Sequence, residues 1–478
     1  MSKRTKIVCT LGPACESVET IEKMVEAGMN VARLNFSHGT HENHAMLIQN
    51  IREVSLRTGE PVAILQDLQG PKIRIGKMPD AGVEIKNGAE VVFDTALQEY
   101  TEKIIPLDYA DLHKYMKAGE RLLISDGKIE THITRVEGTK LYAQVIGGGV
   151  VSSHKGINVP DSTLQVRAMT DKDKEDARFG VEQGVDFIAL SFVRTKEDIV
   201  ELRELIQKYE KELKIKKGSP IQIIAKIERR EAVHNIEELF EVVDGIMIAR
   251  GDLGIEIRAA EVPIIQKRLI TSALKHAKPV IVATQMLDSM QESIRPTRAE
   301  VSDVANAVID HTDAVMLSNE TATGKHPVET VQIMADILHE VEESEYGNFP
   351  FSISQTQDDE VESVIGEISR LLVERAQAKL IVASSLTGQI GRSVSSHRPE
   401  VPILVVTPSD RVRHQLNLSW VVLPFLLHEC KTNEELIDAS LSLIKQGQWV
   451  SSGEEVIIIS GTPGKPGEVN RLEVKKIE

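Results

Sequence analysis

Short apolar runs alternate with helix-like segments through most of the first 342 residues. Near-continuous apolar runs of this length are typical of strands that are covered on both faces of a parallel sheet. Eight strand–helix units in series predict an α/β fold, a (β/α)8 TIM barrel, with an open doubly wound sheet as the alternative. The runs lie at 5–11, 31–36, 62–67, 186–192, 221–228, 245–250, 279–284 and 314–319. The helix-like segments lie at 17–27, 41–58, 171–183, 196–213, 230–241, 261–276, 297–309 and 327–342.

One interval between these units is too long for a loop. About a hundred residues separate the third run from the helix-like segment at 171–183, and they contain alternating stretches broken by Asn-Gly, Asp-Gly and Gly-rich turns. Such turns are hairpin signals, so we predict an all-β lid domain inserted over 72–168, above a barrel formed by 1–71 and 169–345. Strand–helix alternation after a polar connector predicts a C-terminal open α/β domain over 355–478.

Charge and cysteine content narrow the class of protein. A formal net charge of −16 disfavours nucleic acid or an anionic membrane as the main partner. The three cysteines, Cys9, Cys15 and Cys430, lack CxxC spacing, so neither a disulfide framework nor a zinc site is expected. No segment approaches about 20 uninterrupted apolar residues. We therefore expect a soluble, cytoplasmic protein.

Charged side chains end two neighbouring runs. Lys226 and Glu228 lie two residues apart and so on one side of their strand, and Arg250 and Asp252 follow the next run. Because active sites of such barrels lie at the carboxyl ends of the strands, we expect these groups to converge. Two carboxylates beside an ammonium suit a hard divalent cation and an anionic substrate, although an ion-pair network is the main alternative.

Other strand ends carry further polar side chains, and together they indicate a reaction class. For a single residue such as Thr284 or Ser318, ordinary helix capping is an equally good interpretation. Four cations with two carboxylates match a phosphorylated, acidic small molecule, and phosphoryl transfer depends mainly on positioning and electrostatics. Neither a GxxxxGK[ST] loop nor a dinucleotide fingerprint is present. The further candidates are Arg33, Asn35, Ser37, Asp67, Lys72, Arg74, Thr284, Ser318 and Glu320.

Several strand ends stand within longer characteristic segments, which are ARLNFSHG (32–39), DLQGPKIR (67–74), IIAKIE (223–228), IARGDLGIE (248–256), ATQMLDSM (283–290), RPTRAEVSDVANAV (295–308) and MLSNETATGKHPVE (316–329). In these segments, which stand in that family's order, the chain resembles the pyruvate kinases, and the resemblance runs from residue 5 to the end. The resemblance implies a barrel with a lid after its third strand and a C-terminal α/β domain, in agreement with the runs above. It also implies transfer of the phosphoryl group of phosphoenolpyruvate to ADP, giving pyruvate and ATP.

The resemblance assigns the central residues to substrate and metal. Glu228 and Asp252 would hold Mg²⁺ or Mn²⁺. Lys226 would face the transferring phosphoryl group and the developing enolate oxygen, where an ammonium opposes growing negative charge. Backbone amides around Gly251 and Asp252 would bind the substrate carboxylate together with Thr284.

Further matching positions concern phosphate and nucleotide. By the same resemblance Arg33 would contact phosphate, and Asn35 and His38 would lie near the nucleotide phosphates. Arg74 would assist there. Asp126, in the Ser-Asp-Gly turn of the lid, is a candidate to reach the nucleotide on lid closure.

Protonation of enolpyruvate and two rival functions are left open by the sequence. Thr284, with Ser318 and Glu320 behind it, is placed for a hydroxyl–water relay, but the final proton donor is not determined. A metal-dependent aldolase or lyase acting on pyruvate-like acids also pairs Glu with Asp at strand ends, but it needs neither nucleotide nor lid. A degenerate homologue acting as a binding protein would have lost Lys226 or its carboxylates, which are present.

One departure from the family concerns the monovalent cation. Members that need K⁺ bind it with groups that match Asn35, Ser37, Asp67 and the carbonyl of Leu68, and they have Glu where this chain has Lys72. A lysine supplies the positive charge that K⁺ would otherwise bring. We therefore predict that K⁺ is not required.

A loop in the C-terminal domain is a candidate effector site. Small hydroxyls with glycine between a strand and a helix, as in SSLTGQIG (384–391) and SGTPGKPGEVN (460–470), are typical of phosphate cradles, with plain turn chemistry as the alternative. The family binds phosphorylated effectors there and is commonly homotetrameric. Because Leu386 and Gln389 replace basic residues of relatives that respond to fructose 1,6-bisphosphate, AMP or a sugar monophosphate is expected. The effector-loop candidates are Ser384, Ser385, Thr387, Gly388 and Gln389.

Overall fold

The computed structural model describes residues 3–162, 168–215, 219–348, 361–428, 430, 432–461 and 469–478. The chain begins with strands and helices in alternation. Both helices start at a hydroxyl cap, since the side chain of Ser17 accepts from Thr20 N–H and that of Thr40 from Asn43 N–H. The second helix ends at Gly59, whose φ of 75° is left-handed. The elements are β1 (Lys6–Thr10), α1 (Val18–Glu26), β2 (Val31–Asn35), α2 (His41–Thr58) and β3 (Ala63–Asp67).

The long interval after β3 is an all-β domain, as predicted. Six strands form one sheet in the order β11-β7-β8-β9-β5-β6, and β10 pairs with β4. Buried residues such as Phe93 and Leu141 give this lid a hydrophobic core of its own. Its strands are β4 (Val83–Ile85), β5 (Glu90–Asp94), β6 (Ile104–Pro106), β7 (Arg121–Ile124), β8 (Ile129–Glu137), β9 (Lys140–Gly147), β10 (Gly149–Val151) and β11 (Ile157–Asn158).

Strand–helix alternation resumes after the lid. The single helix predicted over 230–241 is wrong: two short helices meet at Asn235, whose side-chain amide donates to the carbonyl of Arg194 over 2.9 Å. That tertiary bond holds Asn235 at φ −92° and ψ 15°, outside the helical region. The elements are α3 (Asp171–Gln183), β12 (Phe187–Leu190), α4 (Lys196–Glu212), β13 (Gln222–Ile227), α5 (Arg230–His234), α6 (Ile236–Phe240), β14 (Gly245–Ala249), α7 (Arg250–Glu256), α8 (Val262–Lys275), β15 (Val280–Ala283), α9 (Arg298–Ile309), β16 (Ala314–Leu317), α10 (Asn319–Ala322) and α11 (Pro327–Glu342).

Eight parallel strands close into a barrel in the order β1-β16-β15-β14-β13-β12-β3-β2. This confirms the predicted TIM barrel with its lid and excludes the open doubly wound sheet. Alternate residues point inward, and those near the amino ends of the strands are apolar, for example Val31, Leu65 and Ile224. Two residues further along these strands the inward side chains are Arg33, Asp67 and Lys226. The polar layer therefore lies at the carboxyl end of the barrel.

The C-terminal domain is an open α/β sheet in the order β19-β18-β17-β20-β21, parallel except for β21, as predicted. The predicted start of this domain at 355 lies outside the described residues, and the other domain boundaries stay predictions. Within the described part of the chain, no helix combines the length and apolarity needed to cross a bilayer. The elements are α12 (Val361–Ala376), β17 (Leu380–Ser384), α13 (Gln389–Ser396), β18 (Ile403–Thr407), α14 (Asp410–Leu416), β19 (Val422–Leu426), α15 (Asn433–Gln446), β20 (Glu455–Gly461) and β21 (Val469–Lys476).

A segment of the C-terminal domain closes the amino end of the barrel. Leu418, which follows α14, is fully buried in the same cluster as the apolar barrel interior. Beside it, Arg398 Nη2 lies 3.0 Å from Asp313 Oδ2, and Lys6 Nζ donates to the carbonyl of Val422 over 2.7 Å. The C-terminal domain is thus fixed at the end of the barrel that is opposite to the polar layer.

Candidate active site

A continuous network of buried polar groups occupies the carboxyl end of the barrel. Lys226 Nζ lies 2.9 Å from Glu228 Oε1 and 3.2 Å from Asp67 Oδ1. It also donates to Ser191 Oγ over 2.7 Å, and Ser191 in turn donates to the carbonyl of Leu68 over 2.7 Å. Partners on three neighbouring strands therefore fix the position of the Lys226 ammonium.

Arg33 joins the network from the other side. Its Nε donates to Asp67 Oδ2 over 2.7 Å and its Nη1 to Thr10 Oγ1 over 2.9 Å. Burial alone would raise the pKa of Asp67, but Lys226 and Arg33 outweigh it and hold that pKa below its usual value. Burial would likewise lower the pKa of Lys226, but Asp67 and Glu228 outweigh it and raise that pKa. Asp67 and Lys226 therefore both keep their charges at neutral pH.

Asp252 is the least compensated carboxylate of the site. Burial raises its pKa to about 6, and the nearby charge of Glu228 adds to the effect. Glu228 is itself anchored, since its Oε2 accepts from Phe192 N–H over 2.8 Å. Among the described residues, no hydrogen-bond donor or ion-pair partner closer than 4.0 Å contacts the carboxylate of Asp252. Two adjacent carboxylates with one free of partners form a donor set that a hard cation completes.

The number of protein ligands also limits the kind of metal. In the described parts of the chain no three His, Cys, Asp or Glu side chains lie close enough to enclose an ion. Mg²⁺ is typically held by one or two carboxylates together with water and substrate oxygens, whereas all-protein cages are typical of other ions. Glu228 and Asp252 fit the first arrangement.

Thr284 lies beside the first turn of α7. Its Oγ1 accepts from Gly251 N–H over 2.8 Å and lies 2.6 Å from the carbonyl oxygen of Ala283, to which it donates. A Cβ on Gly251 would lie 3.4 Å from Thr284 Oγ1, which is an ordinary van der Waals contact. A backbone N–H and a hydroxyl are thereby placed together, and a carboxylate or phosphate oxygen binds them when it replaces their present acceptors, Thr284 Oγ1 and the carbonyl of Ala283.

A cavity of about 1050 Å³ opens at this end of the barrel. Glu320 lies in its wall, accepts from Ser318 N–H over 2.7 Å, and has a pKa that burial raises. The charges of Arg33, Lys226 and Glu228 lie next to this wall rather than in it. The predicted residues that line the cavity are Asn35, Lys72, Asp126, Gly251, Asp252, Thr284, Ser318 and Glu320.

Outside the buried network around Lys226, three further barrel and lid residues predicted for the site do not line the cavity. His38 is exposed, and its carbonyl accepts from His44 Nε2 over 2.9 Å. Arg74 Nη1 donates to the carbonyl of His154 over 3.0 Å and so belongs to the wall of the lid. The backbone N–H of Ser37 donates to Asn35 Oδ1 over 3.1 Å, and of the two only Asn35 reaches the cavity.

Asp67 and the carbonyl of Leu68, which match K⁺ ligands of relatives, make contacts within the protein. The two oxygens of Asp67 are engaged by Lys226 and Arg33, and the carbonyl of Leu68 accepts from Ser191. Lys72 Nζ reaches across the mouth of the cavity to within 3.9 Å of Asp126 Oδ1.

Ser191 is the functional residue that sequence reasoning missed. The run at 186–192 ends in a polar residue, the same signal that identified Lys226 and Thr284, but the hydroxyl alone does not indicate that it contacts an ammonium. Arg250 also stands at a strand end, and the sequence gives no indication of its role.

The candidate effector loop is internally bonded. Ser384 ends β17, and the side chain of Ser385 accepts from Gly388 N–H over 2.8 Å. The side chain of Thr387 accepts from Gln389 N–H over 3.4 Å. Gly388 has a φ of 81°, as a turn into α13 requires. These bonds are those of a tight turn, and the partner loop at 460–470 lies largely outside the described residues.

Comparison with known proteins covers both parts of the chain. Residues 2–331 match the model of the pyruvate kinase barrel domain and residues 364–475 that of the pyruvate kinase alpha/beta domain. Pyruvate kinase 2 of Synechocystis sp. is 44% identical over 100% of this chain and 80% of its own length. Pyruvate kinase of Geobacillus stearothermophilus is 42% identical over 100% of this chain and 81% of its own length. That of Clostridium acetobutylicum is 39% identical over 100% of both chains.

Proposed function

From the premise that the chain belongs to the pyruvate kinase family and is a phosphotransferase, we propose that it transfers the phosphoryl group of phosphoenolpyruvate to ADP, giving pyruvate and ATP. The observation that carries this proposal is the Lys226 ammonium, held 2.9 Å from Glu228 beside the uncompensated carboxylate of Asp252. Such a site offers a fixed positive charge and two hard ligands next to a cavity, which is what phosphoryl transfer requires.

Lys226 stabilises the charge that develops during transfer. As the bond between phosphorus and the enol oxygen breaks, negative charge grows on that oxygen, and the fixed ammonium opposes it without reorganisation. Arg33 holds Asp67 and supplies a second positive charge beside the phosphoryl group. When bound by Glu228 and Asp252, Mg²⁺ or Mn²⁺ supplies further neutralisation of phosphate and carboxylate charge.

The substrate carboxylate and the final protonation involve the other side of the cavity. The substrate carboxylate binds Gly251 N–H and the Thr284 hydroxyl by replacing their present acceptors, Thr284 Oγ1 and the carbonyl of Ala283. After transfer, enolpyruvate gains a proton at its methylene carbon. Thr284, with Ser318 and Glu320 behind it, forms the relay that delivers this proton through water.

A coupled assay with lactate dehydrogenase tests the function. Phosphoenolpyruvate, ADP and MgCl₂ together should give pyruvate, and omission of any one should abolish its formation. The ADP requirement separates this function from that of a metal-dependent aldolase or lyase, which would act without nucleotide. Pyruvate formation that is independent of ADP would overturn the proposal.

We also propose that the enzyme works without K⁺. Lys72 lines the cavity and carries a positive charge where relatives that need K⁺ have a glutamate. The protein contacts made by Asp67 and Leu68 support this, since these groups match ligands of the ion in such relatives.

Regulation and assembly complete the proposal. A phosphorylated effector, AMP or a sugar monophosphate, is proposed for the loop 384–389, and titration of these compounds at low phosphoenolpyruvate tests it. The chain is proposed to form a homotetramer in the cytoplasm, as its family commonly does. Sedimentation of the purified protein tests the assembly.

A further inference from the structure

Two consecutive residues at the end of β15 adopt the left-handed backbone conformation. Thr284 has a φ of 74° and Gln285 a φ of 54°. A β-branched residue in this region is a clear outlier, and such strain persists only where the surrounding structure determines it. The hydroxyl of Thr284 accepts from Gly251 N–H, so its position depends on this strained turn. Contacts from neighbouring residues must therefore stabilise the turn.

Arg250 makes the contacts that hold it. Its Nη2 donates to the carbonyl of Thr284 over 2.8 Å, and its Nε donates to the carbonyl of Ala283 over 3.3 Å. Nη2 also lies 2.8 Å from the sulfur of Met286. The guanidinium thus binds two consecutive carbonyls of the turn, one on each side of the Thr284 Cα.

Asp303 fixes the guanidinium in turn. This residue of α9 accepts from Arg250 Nη1 over 2.8 Å and lies 2.7 Å from Nη2, a two-pronged pairing, while Gln266 Oε1 lies 3.4 Å from Nη1. The five N–H donors of Arg250 therefore have enough protein acceptors to engage them all. Although Arg250 borders the cavity, its donors are directed at the protein, which favours a role through Thr284 over direct contact with substrate.

We infer that Arg250 and Asp303 are a positioning pair that maintains Thr284 in its left-handed conformation and so places the Thr284 hydroxyl for the reaction. The inference rests on the proposed role of Thr284. It adds a link between a surface helix, α9, and the proton-relay side of the cavity. Movement of α9 would then alter the position of the hydroxyl.

Loss of the guanidinium tests the pair. Arg250→Met should lower kcat by about 100-fold, the usual cost of displacing a reacting group by about 1 Å. Asp303→Asn should lower kcat in the same direction but less, and KM for ADP should stay within about twofold in both, because the nucleotide side is untouched. Arg258→Met is the matched control, since that side chain is 80% exposed and, among the described residues, forms an ion pair only with Glu261 at the surface.

A second substitution separates positioning from a simple loss of charge. Gln285→Gly makes the left-handed turn intrinsically favourable, so Arg250→Met with Gln285→Gly should recover at least about tenfold of the lost kcat. Gln285→Ala in the same background should recover none. Equal recovery by glycine and alanine, or none with glycine in a folded protein, would overturn the inference, as would full activity of Arg250→Met.

The milder pair Arg250→Lys and Asp303→Asn serves if Arg250→Met does not fold, as judged by circular dichroism. Lysine cannot bridge both carbonyls, so a loss of kcat that Gln285→Gly reverses is again expected. Thr284→Val separates the proposed role of Thr284 from the positioning role of Arg250. If it keeps full activity, the proposed role of Thr284 fails; if it is inactive while Arg250→Met is not, only the positioning role fails.

Discussion

The backbone N–H of Gly70 donates a hydrogen bond of 3.0 Å to Asp173 Oδ1. The other oxygen of Asp173 accepts from Thr170 N–H over 2.8 Å and from the Thr170 hydroxyl over 2.6 Å. Gly70 lies where the chain leaves the barrel for the lid, and Thr170 where it returns. One fully buried carboxylate at the start of α3 therefore holds both linkers of the lid.

Removal of this carboxylate should loosen both linkers. Asp173→Ala leaves two backbone donors unsatisfied, and each costs roughly 1–3 kcal/mol, so the urea midpoint should fall and proteolysis near 70 and 170 should accelerate. Asp171→Ala is the matched control, because that side chain is 96% exposed and pairs with Lys174 at the surface. An Asp173→Ala protein that unfolds at the urea concentration of the wild type would contradict the prediction.

Leu418 couples the C-terminal domain to the barrel interior. Leu418→Ala should leave a cavity among the inward side chains and lower the free energy of unfolding by about 2–5 kcal/mol. Leu426→Ala, at a side chain that is 49% exposed, should change it by less than about 0.5 kcal/mol. Guanidinium unfolding followed by circular dichroism measures both. Similar losses of stability for the two substitutions would show that packing of Leu418 in the barrel interior does not stabilise the fold.

His311 should make the fold sensitive to acid. Burial first, then the charges of Arg398 and Arg370, lowers its pKa from 6.5 to about 4. Between these pH values the unfolded chain binds more protons than the folded one, so stability is complete above pH 6.5 and falls as the pH drops towards 4. The loss is at most about 3 kcal/mol.

Substitution of His311 tests the direction in which stability changes with pH. His311→Asn keeps a side chain that tolerates the left-handed φ of 63° and removes the titrating group, so the loss of stability between pH 6.5 and 4 should shrink. Exposed His428→Asn is the control and should leave the slope unchanged. Denaturant unfolding at several pH values gives the slopes, and equal slopes for His311→Asn and the wild type would be the contrary result.

The proposed independence from K⁺ predicts that Lys72 determines the response to this ion. Activity in tetramethylammonium buffer should change less than about twofold on addition of KCl, whereas Lys72→Glu should be stimulated many-fold, because the removed charge must be replaced. Lys86→Glu makes the same change at an exposed position of the lid and should not create a K⁺ requirement. A wild-type enzyme that KCl activates many-fold would contradict the prediction.

Features of the fold and site that depend on a local sequence pattern could be predicted. Apolar runs with polar ends predicted every barrel strand, and the same rule predicted that Lys226, Glu228 and Asp252 converge, because the carboxyl ends of parallel strands meet. Turn residues predicted the all-β lid. The break at Asn235 was missed because it depends on a bond to Arg194, a partner far along the chain.

Contacts between distant elements were beyond sequence reasoning. The sequence contains no signal that Leu418 enters the barrel or that Asp303 of α9 pairs with Arg250, because both contacts join elements that are distant along the chain. His38 and Arg74 carry suitable side chains, yet neither lines the cavity, because His38 lies in the exposed loop after β2 and Arg74 bonds to the carbonyl of His154 in the lid.

The Lys226 ammonium beside Glu228 is the central claim, and the turnover of Lys226→Met tests it most directly. With phosphoenolpyruvate, ADP and Mg²⁺ at saturation, kcat should fall by about 100- to 1000-fold, because the charge that opposes the developing enolate is lost. Lys208→Met, at a side chain that is 65% exposed, should match the wild type. Turnover by a folded Lys226→Met protein that equals the wild type would contradict the account.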